Sequence, residues 1–390
     1  MRKPFTVALL LAAGSMCGTV SAAAFTPGNL VIYRVGVGGT TALTVLGSAV
    51  FLDEYTTSGT LIQSLAMPTV ASSGNNAFFS SGTAITEGFL TTSADGNYIV
   101  ASGYTGVATS GTLPGTTSVL TPRAIARVGL NGSINNTTTI TDAFSGNSIR
   151  SVASVDGTGF WSVGGNNGVR YSTLGSSTST SISTTITNLR NVQIFGGQLY
   201  TSGASGSVVR IGTVGTGTPT STGQTITNLP GYLTAGSPYS YILADLSAVV
   251  AGPDTLYVAD DSTLASTPSG GLQKYALVGG SWVARGTLSL TGPIAPLIRG
   301  LTGSVAPNGT DFNLFGTTGS NTTSGGGSLY TFTDTTGYNG TISGTLSTIA
   351  SANANTSFRG IVTVVPEPTS LGVIALGAVG LLTRRRTRSA

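Results

Sequence analysis

The sequence predicts an all-β fold built from repeated four-stranded units. The chain has 57 glycines among its 390 residues, is rich in threonine and serine, and spaces its Val, Ile, Leu, Tyr and Phe residues regularly. Threonine and valine favour strands, glycine supplies turns, and long stretches of helical periodicity are missing. A motif of an apolar residue, an arginine, any residue and a second apolar residue also recurs. Its four copies begin at Ile149, Leu189, Ile298 and Phe358.

The motif marks equivalent strands. The first three copies are each followed by a glycine-containing turn and further short strands, at spacings of about 40 to 60 residues. Four antiparallel strands repeating in this way are typical of a β-propeller blade, and six blades fit residues 25–365. Seven blades are an alternative, because the Gly/Ser-rich stretch around Phe78 and Phe79 offers one more pair of strands. A right-handed β-helix is the structural alternative to a propeller.

The two ends of this body complement each other. The segment from Leu30 to Met67 contains three strands of a blade and lacks the first. The segment from Phe358 to Val364 is a single strand that follows the last complete blade. Pairing the last strand with the first blade closes a ring and leaves no exposed sheet edge. In a regular strand, Phe358, Val362 and Val364 share one side of the pleat.

The N-terminus predicts export. Arg2 and Lys3 precede an apolar run, and small residues up to Ala22 form a signal-peptidase site, so residues 1–22 are predicted to be a signal peptide for Sec export. The only cysteine, Cys17, leaves with this segment. The mature body is therefore expected to have no disulfide.

The C-terminal tail, residues 366–390, has a Pro-Glu-Pro signature, an apolar run and a basic tip. The apolar run from Leu371 to Leu382 is about 18 Å long as a helix, against about 30 Å for the hydrocarbon core, so we predict a short transmembrane helix. The basic tip is expected to stay in the cytoplasm. The signature residues are Pro366, Glu367 and Pro368, and the stop signal consists of Arg384, Arg385, Arg386 and Arg388.

This tail resembles the PEP-CTERM sorting tail of bacterial proteins. The resemblance covers about 25 residues and implies cleavage by an exosortase near the Pro-Glu-Pro signature. It also implies transient anchoring in the inner membrane, followed by release to the cell surface or the extracellular space.

The net charge of +4 comes from these two ends. Without them, the 17 basic residues fall to 11 and the 13 acidic residues to 12, so the body is close to neutral. We therefore expect no nucleic-acid partner. Histidine is absent from the chain, which removes the commonest general base and metal ligand.

The arginines of the repeated motif are candidate ligand-binding residues because they recur at one strand position. Guanidinium groups arranged around a channel suit the carboxylates of an anionic polysaccharide. The alternative is that each arginine packs on a neighbouring blade and pairs with a local carbonyl or acid. The four residues are Arg150, Arg190, Arg299 and Arg359.

Asp260 and Asp261 lie in the densest carboxylate cluster and are the candidate Ca²⁺ ligands. Adjacent acids on a strand point to opposite sides, whereas Ca²⁺ takes six to eight oxygens, so we expect no cofactor. The run from Asp254 to Leu277, with its Tyr-Val-Ala-Asp strand, is similar to blades of NHL and SMP-30-type propellers. That resemblance implies the fold rather than an activity.

These features predict a monomeric, exported propeller that is associated with the cell envelope or exopolysaccharide matrix. Its predicted role is binding or structural rather than catalytic. The alternative is a secreted propeller hydrolase or lyase acting on sugar or lactone substrates with a divalent cation. Acids from several blades facing the channel would favour the enzyme. An apolar or threonine-lined channel would favour the binding protein.

Overall fold

The computed structural model describes residues 23–204, 209–262, 270–288 and 298–365. Within these ranges the structure is all-β, as predicted, and contains 26 strands. None of the described residues forms a helix long and apolar enough to cross a membrane. The predicted cleavage site at Ala22, the Pro-Glu-Pro signature and the tail arginines lie outside the described residues.

The first two units belong to one ten-stranded sheet. The first unit begins with β1 (Leu30–Val35), β2 (Ser48–Tyr55) and β3 (Leu61–Ala66). The short strand β4 (Phe79–Ser80) precedes the second unit, which consists of β5 (Thr91–Thr92), β6 (Tyr98–Tyr104), β7 (Arg123–Gly129) and β8 (Ile134–Ile140). Strand β4 pairs with both β2 and β6. The stretch that suggested a seventh blade therefore bridges the first two units.

Four separate four-stranded sheets follow. The third unit is β9 (Ile149–Ser154), β10 (Gly159–Gly164), β11 (Val169–Thr173) and β12 (Thr180–Ser183). The fourth is β13 (Leu189–Phe195), β14 (Gln198–Gly203), β15 (Ile211–Val214) and β16 (Ile226–Asn228). The fifth is β17 (Pro238–Ala244), β18 (Thr255–Asp260), β19 (Gly271–Val278) and β20 (Ser281–Leu288).

The sixth unit contains β21 (Gly300–Val305), β22 (Phe312–Thr317), β24 (Ser328–Asp334) and β25 (Ser347–Ser351), with the two-residue β23 (Gly325–Gly326) between them. The last strand, β26 (Thr356–Thr363), pairs antiparallel with β1. Pairing within every unit is antiparallel. A β-helix stacks parallel strands, so this pattern is that of a propeller.

The innermost strands neighbour one another around the centre. Contacts run in the order β26, β5, β9, β13, β17 and β21, and β21 again contacts β26. Six clusters of buried apolar side chains lie between successive units. Each sheet is therefore covered on both faces, which explains why strands such as β10 and β18 are buried along their whole length.

The last strand is irregular. Ile32 of β1 opposes Ile361, whereas Arg34 opposes Phe358, so a single β1 residue faces two residues of β26. This β-bulge reverses the side-chain alternation. Phe358 consequently packs with Ile361 between the sixth and first units, whereas Val362 joins the core between the first and second units. The prediction that Phe358 and Val362 share one side of the pleat is wrong, because the bulge adds a residue between them.

Candidate functional site

The four arginines of the repeated motif lie on the innermost strands or, for Arg299, directly beside one. Arg150 and Arg190 are the second residues of β9 and β13. Arg359 lies within β26, and Arg299 directly precedes β21. Arg150 interacts electrostatically with Arg190, and Arg359 with Arg299. The four side chains therefore gather at one end of the channel, which we call the arginine end.

One aromatic ring and one carboxylate hold two of these arginines together. The guanidinium carbons of Arg190 and Arg299 lie 3.8 Å and 4.5 Å from the centroid of the Tyr239 ring. Asp261 accepts hydrogen bonds from Arg190 Nη1 at 3.5 Å and from Arg299 Nη2 at 2.8 Å. Because two cations share this one carboxylate, Asp261 neutralises only part of their charge.

Backbone carbonyls take up further donors of the arginines. Arg150 Nη1 donates to the Leu189 carbonyl at 2.9 Å, Arg190 Nη1 to the Ser237 carbonyl at 3.0 Å, and Arg359 Nη2 to the Gly82 carbonyl at 2.9 Å. Arg299 Nη1 lies 3.5 Å from the Ile85 carbonyl. Local pairing therefore anchors each side chain. The buried Nε atoms of three of them have no hydrogen-bond partner: Arg150, Arg299 and Arg359.

Burial and mutual repulsion shape the electrostatics of this end. Burial lowers the pKa of Arg150, and the nearby charge of Arg190 lowers it further. Burial also lowers the pKa of Arg359, to about 10, although the attraction of Glu87 works against this. Arg359 therefore keeps its charge at neutral pH, and because guanidinium groups in proteins stay protonated, the arginine end is positive.

Glu87 is the second acid near the arginines, and it is fully buried. Tyr104 Oη donates to its carboxylate at 2.7 Å, and the Ser81 amide donates at 2.9 Å. Burial nevertheless dominates and raises the pKa of Glu87 to about 7. Glu87 therefore carries only a partial negative charge near neutral pH.

Tyr239 is a site residue that the sequence analysis missed. It is the second residue of β17, the position that Arg150 holds in β9 and Arg190 in β13. Aligning Pro-Tyr-Ser-Tyr from Pro238 with Ile-Arg-Ser-Val from Ile149 would have found it. The motif search failed because it required an arginine at this position.

An aromatic pair blocks the channel beside the arginines. The rings of Tyr239 and Phe89 lie 5.9 Å apart, and both side chains are buried. Phe89 shortly precedes β5, and β5 and β17 stand three places apart in the cyclic order of innermost strands. The pair therefore meets across the channel and separates its two ends.

The opposite end of the channel holds a cavity of about 420 Å³. Threonine and aliphatic side chains of the innermost strands make up much of its wall: Thr91, Thr92, Ile194, Ile242, Leu301, Thr302, Ile361 and Thr363. Asp95 is the one acidic residue among the described residues that line it. Val365 also lines this cavity, so we call it the tail end.

The two candidate metal ligands face different partners. Asp260 accepts hydrogen bonds from the amides of Ser237 at 2.9 Å and Ser262 at 2.8 Å, and burial raises its pKa. Asp261 is engaged by the two arginines described above. Across the described ranges, no group of three or more His, Cys, Asp or Glu side chains is arranged to hold a metal ion.

Comparison with known proteins identifies the tail. A model of the PEP-CTERM protein-sorting motif matches residues 364–386, which confirms the resemblance predicted from the sequence. The motif is a C-terminal sorting signal of exported proteins and implies processing by an exosortase. No curated protein matches the chain.

Solved structures resemble the body only distantly. A 6-phosphogluconolactonase candidate from Bacteroides uniformis is 13% identical, with 83% of this chain and 82% of that chain covered and a TM-score of 0.40. The nidogen–laminin complex gives 11% identity, covers 86% of this chain and 97% of that chain, and has a TM-score of 0.42. Nothing about the activity of this chain follows from similarities so low.

Proposed function

We propose that this exported chain is a six-bladed, closed propeller that binds exopolysaccharide through its arginine end and so resides in the extracellular matrix or at the cell surface. The observation that carries the proposal is the gathering of four arginines at one end of the channel, where Arg190 and Arg299 pack on the Tyr239 ring. Guanidinium groups pair well with the anionic groups of such polymers.

The ring supports this role as a rigid scaffold. Pairing of β26 with β1 completes the first unit, and apolar cores separate the six successive units. Pairing with β26 covers the edge of β1, which would otherwise be free to pair with another chain outside the cell. Side chains on rigid strands also keep the arginines in fixed positions.

The position of the tail gives the propeller an orientation. Val364 donates to the Asn29 carbonyl at 2.8 Å and accepts from the Gly28 amide at 2.9 Å, so the chain is fixed to the body up to this residue. Arg359 lies on β26, five residues before Val364, a separation of at most about 16 Å at ~3.3 Å per residue. While the tail is held in the inner membrane, the tail end faces the membrane and the arginine end points outward.

The channel chemistry favours binding over hydrolysis. The tail-end cavity is lined mainly by threonine and aliphatic side chains. At the arginine end, the two nearby carboxylates already accept hydrogen bonds from protein groups, Asp261 from arginines and Glu87 from Tyr104. A metal-dependent hydrolase or lyase needs carboxylates from several blades directed at one point.

The test is binding of the full-length chain to exopolysaccharide extracted from the cells that make it. Replacing Arg150 and Arg299 together with alanine should weaken binding at least tenfold, because both side chains are half-buried and carry unpartnered Nε donors. Arg285→Ala is the control, since Arg285 is also half-buried but lies on the outermost strand β20. Equal binding by all three proteins, or no binding by the wild type, would contradict the proposal.

A further inference from the structure

We propose that the arginine end recognises the carboxylate of an acidic sugar, and that Asp261 is an internal competitor which this carboxylate displaces from Arg190 and Arg299. The proposal rests on the polysaccharide-binding role and specifies its ligand chemistry. The chemical class is a uronate, which carries one carboxylate on each sugar ring.

The resident carboxylate already defines the geometry of such a site. Asp261 presents one oxygen to Arg190 at 3.5 Å and the other to Arg299 at 2.8 Å. The Tyr239 ring packs against both guanidinium groups and restricts their orientation. Planar guanidinium forks match planar carboxylates, so a second carboxylate can occupy the same place with similar geometry.

Displacement of Asp261 replaces one carboxylate by another, so the two guanidinium groups stay paired. The side chain of Asp261 is 12% exposed, and that of Arg299 is 20% exposed, so an incoming group reaches this pair from solvent. The 3.5 Å contact with Arg190 is longer than a normal charge-assisted hydrogen bond. Asp261 therefore holds its two partners unequally.

The ligand gains contacts that Asp261 does not make. The Nε atoms of Arg150, Arg299 and Arg359 are buried without a partner, and the Arg359 side chain is more than nine-tenths buried. A buried donor without an acceptor is destabilising. A sugar acid that reaches the half-buried side chains of Arg150 and Arg299 would supply acceptors for their Nε donors, and its negative charge would balance an end where arginines outnumber acids.

The experiment compares polygalacturonate, monomeric galacturonate and neutral dextran as probes of the full-length chain by titration calorimetry at low salt. Asp261→Asn removes the competing charge and should tighten polygalacturonate binding about tenfold. Asp142→Asn is the matched control, because it makes the same charge change at the Arg170 ion pair of the third unit. This control should change affinity less than twofold.

The monomer shows whether the site recognises a single sugar acid or several adjacent ones in a polymer. Galacturonate binding that also tightens in Asp261→Asn supports recognition of a single sugar acid. Binding of the polymer alone supports recognition of several adjacent uronates. In both cases Asp261→Asn must bind more tightly than the wild type.

A purely structural Asp261 gives the opposite result. Asp261→Asn would then bind polygalacturonate no more tightly than the wild type, which overturns the proposal. If this variant fails to fold, Arg299→Lys replaces it, because lysine keeps the charge but loses the fork. Polygalacturonate should bind Arg299→Lys about tenfold more weakly, and unchanged affinity would overturn the proposal.

The neutral probe separates this proposal from the broader one. Dextran bound as tightly as polygalacturonate overturns carboxylate recognition but leaves polysaccharide binding intact. Failure of the wild type to bind any of the probes or the extracted exopolysaccharide refutes both.

Discussion

Deleting the last strand should unfold the protein, because β26 supplies the first strand of the first unit. We compare a chain that ends at Asn355 with one that ends at Val365. The shorter chain exposes the edge of β1 that pairs with β26. It also removes Arg359, whose main-chain carbonyl accepts a hydrogen bond from Thr317 of the sixth unit.

The magnitude follows from the apolar side chains that are lost. Four of them are no more than 5% exposed: Phe358, Ile361, Val362 and Val364. Burying such side chains contributes ~1.5–3 kcal/mol each, or about 6–12 kcal/mol together as an upper estimate. A whole domain is stable by only ~5–15 kcal/mol, so the loss is comparable to the total.

Thermal unfolding followed by circular dichroism and size-exclusion chromatography measures the effect. The chain that ends at Asn355 should lack a cooperative transition or aggregate, whereas the chain that ends at Val365 should melt with the full-length protein. The longer of the two truncated chains is the control for loss of the tail itself. Equal melting temperatures for the two truncated chains would refute the closed ring.

Three further predictions concern the pH dependence of stability at Glu87, the packing around Gly360, and the effect of Ca²⁺. Burial raises the pKa of Glu87 to about 7 from an ordinary value of 4.5, so this group stabilises the fold fully below about pH 4.5, and that contribution is lost as the pH rises through 7. Glu87→Gln should flatten the fall in melting temperature between about pH 5 and 8, and an unchanged slope would contradict the burial argument. Gly360→Ala should lower the free energy of unfolding by ~1–3 kcal/mol in denaturant, because an added Cβ would lie 2.4 Å from the Leu90 amide nitrogen. Gly106→Ala is the control and should be neutral, because a Cβ there meets nothing within 4 Å. Saturating Ca²⁺ after EDTA treatment should leave the melting temperature unchanged in calorimetry, because arginines engage Asp261. A Ca²⁺ site filled at about 100 times its Kd would instead add ~2.7 kcal/mol to the free energy of unfolding and raise the melting temperature.

The sequence was sufficient to predict the fold because propeller units repeat. Alternation of apolar residues and glycine turns located the strands, and the recurring arginine identified strands that the structure places at the centre. The pairing of the last strand with the first unit could also be predicted, because the first unit lacked one strand and the last strand belonged to no other unit. Local patterns carry this information because each blade is a local structure.

Long-range geometry was not accessible in the same way. The bulge in β26 includes Gly360, whose amide donates to the carbonyl of Gly88, far away in the chain. Asp261 was considered as a metal ligand because its neighbour in sequence is acidic, whereas its contacts come from Arg190 and Arg299. Spacing along a chain does not report which charges meet across a channel.

A role outside the cell depends first on export and processing of this chain. Intact-mass spectrometry of the protein recovered from the extracellular matrix, produced together with its exosortase, measures both. We predict a mature C-terminus between Val365 and Pro368, because Val364 is fixed in the body by two backbone hydrogen bonds and the strand before it is buried. Recovery of extracellular protein that still carries the arginine-rich tip, or retention of the whole population inside the cell, would contradict export and processing by this route.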